Sequence, residues 1–162
     1  MSKNNKDDFV EKIKDRAKRT LTIEEVHLNG KYYEETISYL KEQKYIKFTE
    51  IEKVLKNNFI SDYPFGYIIK DLKNNIVGFM GTIFSKRISD NKEYIYCNIH
   101  SWIVDESYRI NSFLLLTPLL KKQITLTAFT PINSLTGLLK KFDFEQIKIK
   151  YTIVCFSHLF EL

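Results

Sequence analysis

The chain has only two cysteines, and Cys97 and Cys155 stand far apart with no CxxC or Cys/His pattern around either. A disulfide framework and a zinc site of the usual spacing are both excluded on that count, so both thiols are expected as reduced packing residues and no bound metal is expected. No apolar stretch approaches the ~20 residues that span a bilayer, and no N-terminal apolar run precedes a small-residue cleavage site. A soluble, cytoplasmic protein with no membrane span is the expectation. Internal repeats and low-complexity linkers are also missing, and so is an aromatic-basic RNP signature, which argues against nucleic-acid binding.

Charge of one sign is in modest excess. The net charge of +5 suits an anionic partner such as a phosphate-bearing cofactor, a nucleic acid or a membrane surface, but is too small to choose among them. What the chain has in quantity is aromatic and apolar material, with 12 Phe and 10 Tyr in 162 residues, enough for a folded core. That length fits a single domain.

Residues 1–20 carry a thin apolar stripe, Phe9, Val10, Ile13 and Ala17, among interleaved charges of both signs, and read as a basic N-terminal helix or arm. Residues 21–162 read as one domain. Alternation from Leu21 to Leu28 predicts a strand closed by Asn29-Gly30. Tyr33, Ile37 and Leu40 at i, i+4, i+7 predict a helix, and a Thr49/Glu52 capping box opens a second one through Phe59. After the loop Ser61-Asp62-Tyr63-Pro64, three antiparallel strands follow: Phe65 to Asp71, Ile76 to Ile88 and Glu93 to Val104, with turns at 73–75 and 89–92. The remainder alternates as a helix from about Ser112, a strand Ile124 to Thr130, a helix Ile132 to Phe142 and a strand Phe144 to Phe156. Pro118 inside the first of these helices predicts a kink or a late start.

A strand that hands over to a helix through a polar turn offers free N–H groups to an anion, and the turn after Val104, carrying Arg109, is the best such place. At this point the chain resembles the GNAT superfamily of acyl-CoA-dependent N-acetyltransferases. Val104-Asp105-Glu106-Ser107-Tyr108-Arg109 is similar to the family's Val-x-Pro-x-x-Arg, with Glu106 at the proline position. Ile76 to Phe84, with Gly78 and Gly81, looks like its third strand, and Thr130-Pro131-Ile132-Asn133 followed by Leu138 to Phe144 resembles its Asn-bearing turn and closing motif. The resemblance implies an α/β (α+β) GNAT-like fold, a central mixed twisted sheet of about six strands flanked by about four helices.

It also implies acetyl-CoA or another acyl-CoA as cofactor and a small-molecule, sugar or peptide amine as acceptor. Ile103 and Val104 would pair with pantetheine through their backbone, as an added strand would. Arg109, Ile110, Asn111, Ser112, Phe113 and Leu114 would hold the pyrophosphate, with Ser112 and Leu114 standing where the family has small residues. Asn133 matches the CoA-contacting Asn, and is equally a good N-cap. His100 falls at about the position of the family's general base, and a half-buried strand histidine is the competing reading. Trp102, on the face of His100 and Val104 by period-two alternation, either walls the acceptor pocket or packs in the core. The family's acid, a Tyr, falls on Leu139, which cannot donate a proton; Ser101, Ser134 and Tyr108 are hydroxyls that could replace it. Phe144 to Phe156 has no turn residue, so either one long strand ends the fold or a second copy pairs along that edge in a homodimer. The alternative function is a catalytically silent GNAT-like domain that binds a ligand or a protein.

Overall fold

The computed structural model describes residues 21–44, Lys53, 62–129 and 133–147. The chain divides into two compact units, Met1–Thr130 and Pro131–Leu162. The expected arm at residues 1–20, the expected helix from Thr49 (apart from Lys53, which is helical) and most of the expected last strand lie outside the described residues.

The first unit is built on a sheet of five strands in the order β1-β2-β3-β4-β5. These are β1 (Thr22–Val26), β2 (Gly66–Lys70), β3 (Ile76–Ser89), β4 (Lys92–Val104) and β5 (Thr125–Thr127). The first four are antiparallel neighbours and β5 joins β4 in parallel, so the sheet is mixed, as expected. Local chemistry makes the turns. Asp71 Oδ1 accepts the N–H groups of Lys73 and Asn75 at 2.9 and 2.8 Å, and Asn74 takes the left-handed conformation at φ 71°, a cost that Asn bears more easily than most side chains. Asp90 and Asn91 have φ of 50° and 58°, the paired positive values of a tight hairpin whose twist matches that of its strands.

Helix α1 (Tyr33–Glu42) covers one face of the sheet. Its Ile37, Tyr39 and Leu40 join Val26, Phe65, Ile68 and Phe79 in one buried cluster, each large apolar side chain contributing about 1.5–3 kcal/mol by leaving water. Two polar ties cross the same interface. Lys70 Nζ lies 3.0 and 2.9 Å from the two carboxylate oxygens of Glu35 and 4.8 Å over the Tyr32 ring, so a nearly buried ammonium has a carboxylate partner and an aromatic face beside it. Tyr39 donates its hydroxyl to Asp105 Oδ1 at 2.9 Å, joining α1 to the residue just past β4.

The opposite face carries Tyr67, Met80, Phe84 and Cys97, paired across the strands as Tyr67 with Met80 and Phe84 with Cys97. A 3₁₀ helix (Glu106–Leu116) and the short α2 (Thr117–Leu120) bring the buried Leu114, Leu115, Leu116 and Leu119 to the unit. Beyond α2, Lys122 Nζ reaches the Tyr67 hydroxyl at 3.2 Å and Glu25 Oε1 at 3.5 Å. The α-helical turn starts only at Thr117, with Pro118 in its first positions, so the late start expected from the proline is what occurs.

The second unit holds α3 (Asn133–Lys141), which buries Leu139. It ends in a Schellman arrangement: Phe144 N–H reaches Leu139 O at 3.2 Å, Asp143 N–H reaches Lys140 O at 3.1 Å, and Asp143 supplies the left-handed residue at φ 60°. The expected strand from Phe144 does not begin at once, since 144–147 carries no regular secondary structure. No described helix is long and apolar enough to cross a membrane.

Packing leaves no room at Gly66, where an added Cβ would overlap the Phe79 ring and meet Met80 O at 2.9 Å. A Gly66→Ala variant is therefore expected to lose about 1–3 kcal/mol of stability through overpacking, measured by urea unfolding. An unchanged midpoint would contradict this packing.

Candidate active site at the bulged end of strand β4

The register between β3 and β4 is regular from Ser89↔Lys92 to Gly81↔His100 and then slips, because the next pair is Phe79↔Ile103. Ser101 and Trp102 thus stand together against Met80, a β-bulge in β4. Ser101 takes φ 46°, a left-handed conformation that a serine adopts at a cost. The slip changes which side chains share a face. Plain alternation puts Val104 with His100, but directly paired residues lie on one side of the sheet, so Ile103, opposite Phe79, shares the face of His100. Val104 pairs with Gly78 and faces the other way, with its Cγ2 3.1 Å from where a Gly78 Cβ would stand.

On its other edge β4 is held to β5 only at Tyr96, Cys97 and Asn98. Beyond Asn98 no further pairing with β5 exists among the described residues, and the backbone from Ile99 to Val104 runs on past the end of that strand. An extended amide-bearing ligand that adds itself to a free strand edge needs this geometry. Ile103 and Val104, the backbone atoms expected to contact pantetheine, lie on this stretch.

His100 is the titratable group of the bulge. Its ring lies over Gly81: a Cβ at that glycine would overlap Cε1 and stand 2.5 Å from Nε2 and 2.8 Å from Nδ1. Nδ1 is 2.9 Å from Ser101 Oγ, while Nε2 is buried and has no partner among the described residues. Burial pushes the imidazole pKa down from 6.5 to about 4, so the ring is neutral at physiological pH. A neutral imidazole with a vacant ring nitrogen is competent to take a proton from a group placed within hydrogen-bond reach or one water away. Trp102 Nε1 is a second buried nitrogen without a partner, a donor with no acceptor among the described residues.

The turn expected to hold the pyrophosphate is built differently from a loop opening an α-helix. Residues Glu106–Leu116 form one 3₁₀ run, a conformation whose N–H groups turn back towards the carbonyl three residues earlier. The side chains of the run differ in exposure. Arg109 is exposed, with NH1 3.8 Å from Glu106 Oε1, and Ile110 is exposed; Asn111, Ser112 and Phe113 are half-buried, and Leu114 is in the core. The base of the turn is fixed. Asp105 donates its N–H to Val77 O at 2.9 Å and accepts both Tyr108 N–H at 2.9 Å and the Tyr39 hydroxyl. Burial and the Asp105 carboxylate push the Tyr39 pKa upward, which keeps the phenol protonated as donor.

Of the expected site residues, His100, Trp102, Ile103 and Val104 fall on the bulged end of one strand, and Arg109 to Leu114 on the turn that follows within the same unit. Asn133 opens α3 in the second unit, and Leu139 is buried there. Ser101, one of three hydroxyls suggested as a substitute acid, is bonded to His100 instead. Sequence reasoning missed the Ser101 bulge, the seat that Gly81 makes for the imidazole and the Tyr39–Asp105 tie. Gly81 was noticeable as a glycine in a strand, which signals a close approach, but nothing in the sequence says by what. Among the described residues no cluster of three His, Cys, Asp or Glu could hold a metal ion.

The depressed pKa of His100 has a measurable effect on folding. In the unfolded chain the ring protonates near 6.5 and in the fold only near 4, so between those values the unfolded state binds more protons. Stability from this group is complete above about pH 6.5 and falls with pH towards about 4, by roughly 3 kcal/mol in all. A His100→Gln variant lacks this component, and urea unfolding across that window is expected to show a shallower fall than the wild type. Parallel curves would contradict the burial of the imidazole.

No protein-family model matches this chain, and no curated protein matches it either. Solved structures do. Glucosamine-6-phosphate N-acetyltransferase from Arabidopsis thaliana is 12% identical with a TM-score of 0.55, over 83% of this chain and 98% of that one. A GNAT-family acetyltransferase from Staphylococcus aureus Mu50 is 21% identical with a TM-score of 0.55, over 79% of this chain and 86% of that one. A GNAT-family N-acetyltransferase from Escherichia coli, solved in complex with CoA, is 14% identical with a TM-score of 0.55, over 78% of this chain and 69% of that one. At these identities the likeness is one of fold, and this chain has the fold of these GNAT-family acetyltransferases.

Proposed function

We propose that this chain is an acyl-CoA-dependent N-acyltransferase that moves an acyl group, acetyl in the first instance, to the amine of a small molecule, sugar or peptide. The observation that carries the reading is the end of β4, where an edge free of β5 lies on the same strand as a bulge holding a neutral imidazole with a vacant nitrogen. Acyl transfer needs a neutral amine, so a base must accept its proton as the new bond forms. The amine nitrogen attacks the thioester carbonyl, the C–S bond breaks, and the sulfur leaves with the electron pair and takes up a proton as the free thiol. In this reading His100 accepts the amine proton, Ile103 and Val104 pair with the pantetheine amides, and Arg109 with Ser112 meets the phosphates. Trp102 borders the acceptor. The known acetyltransferases among the structural neighbours support an acyl-CoA co-substrate, one of them having been solved with CoA. A cytoplasmic setting fits such a co-substrate.

A second reading, a GNAT-like domain that binds CoA or a partner without turnover, is favoured by one feature. The run after Asp105 is a 3₁₀ helix and Leu114 lies in the core, where close phosphate approach needs an open turn and small residues.

Calorimetric titration with acetyl-CoA separates the readings when followed by thiol-release assays on amines, amino sugars and aminoacyl compounds. Binding followed by turnover is expected. His100→Ala should lower kcat by about 10²-fold or more, and Arg109→Ala should weaken acetyl-CoA binding roughly 10-fold with kcat little changed. Binding heat without thiol release on any amine would select a domain that binds CoA without turnover, and neither heat nor a thermal shift would overturn the enzyme reading and leave a domain that binds another partner.

A further inference from the structure

We propose that Ser101 is a positioning residue for His100: its hydroxyl oxygen accepts the proton on Nδ1, fixing the tautomer that leaves the lone pair of Nε2 free to act as base. This deepens the acyltransfer reading and rests on it for the role of the base. The contact itself is independent of that reading.

Three features of the bulge converge on the ring. The glycine floor at Gly81 sets its plane, since any Cβ there would overlap three ring atoms. The Ser101 hydroxyl, 2.9 Å from Nδ1, sets its rotation. Nε2 is left buried with no partner among the described residues. A hydroxyl can donate or accept, so the contact is compatible with two tautomers, and the surroundings of Nε2 decide between them. With the proton on Nε2, a buried N–H would stand without an acceptor, which folded proteins rarely tolerate; with the proton on Nδ1, the donor is satisfied and only an acceptor is left open. The tautomer is set by the hydrogen bond that the other ring nitrogen makes.

The backbone gives a second argument. Ser101 is held at φ 46°, where glycine would sit without strain. A side chain retained at a strained position one residue from the base is accounted for by what its hydroxyl does there. During transfer the amine proton passes to Nε2, the ring becomes an imidazolium still donating through Nδ1 to Ser101, and the Nε2 proton then goes to the departing thiolate. No proton remains on the protein.

The experiment compares the full-length wild type with Ser101→Gly and Ser101→Ala, using long-range nitrogen–proton NMR correlations on chain labelled with 15N at histidine, together with thermal unfolding and steady-state kinetics. His100→Gln assigns the signal. The wild type is expected to show a single Nδ1–H tautomer, and both variants to lose it. Ser101→Gly is expected to be at least as stable as the wild type, since glycine relieves the positive φ, so a fall in kcat of ~10-fold or more at similar KM is not due to unfolding; the full contribution of a positioned base is ~10²–10⁴-fold. An Nε2–H tautomer in the wild type, or a Ser101→Gly variant that keeps both the Nδ1–H tautomer and the turnover, would overturn the proposal. Failure of wild-type protein to acylate any amine would overturn the acyltransfer reading and the base role, while the tautomer spectrum, which needs no substrate, still decides the Ser101 contact.

Discussion

One extra residue in β4, accommodated at Ser101 and Trp102 against Met80, sets much of what the first unit presents at its functional end. Without the bulge, alternation would carry Val104 to the side of His100 and turn Ile103 away from the cluster under α1. With it, Ile103 packs against that cluster beside Phe79, and Val104 faces Gly78. The strand then ends at Asp105, whose backbone and carboxylate are tied to Val77 and Tyr39, and the chain leaves into the 3₁₀ turn from a fixed point. Bulges of this kind bend a strand and re-aim its side chains, and they are common next to active sites.

The polar groups of the unit divide by how completely they are matched. Lys70 with Glu35, and Tyr39 with Asp105, are buried or half-buried pairs in which every strong donor has its acceptor, and both pairs join α1 to the sheet. They hold the fold, and nothing about them is held ready for a reaction. Cys97 is of the same kind: burial pushes its thiol up to about 12, which leaves an inert packing group rather than a nucleophile. His100 and Trp102 differ, each keeping a buried nitrogen on the same bulged strand end that has no partner among the described residues. Unmatched buried groups cost stability, and each calls for an explanation such as strain, a catalytic role or a bound water or ion.

Much of the sheet was legible in the sequence because the signals were local. The aromatic and β-branched run of β2, the Asn and Asp turns and the i, i+4, i+7 spacing of Tyr33, Ile37 and Leu40 each specify an element without reference to the rest of the chain. The turn after Val104 was legible as an anion-binding candidate from its strand-to-helix handover, and as a proposed cofactor junction only through resemblance. The bulge was not legible, since a serine at positive φ carries no compositional mark and the period-two rule assumes no inserted residue. The form of the turn was not legible either. An apolar stretch such as Phe113 to Leu116 suits an α or a 3₁₀ helix equally, and Pro118 indicates where an α-helix can begin without saying what precedes it. The partner of Tyr39 lies 66 residues along the chain, a separation at which pattern reading has no reach.

The central claim is that the β4 edge beyond Asn98 and the turn after it receive an acyl-CoA. Backbone amide chemical shifts of uniformly 15N-labelled protein, followed as acetyl-CoA is added, test it directly at the level of residues. The account predicts saturable shifts concentrated at 99–104 and 106–114, with little change in β1 or in the Asp90-Asn91 hairpin. Shifts clustered elsewhere in the sheet, or none at concentrations where related acetyltransferases would be saturated, would contradict it.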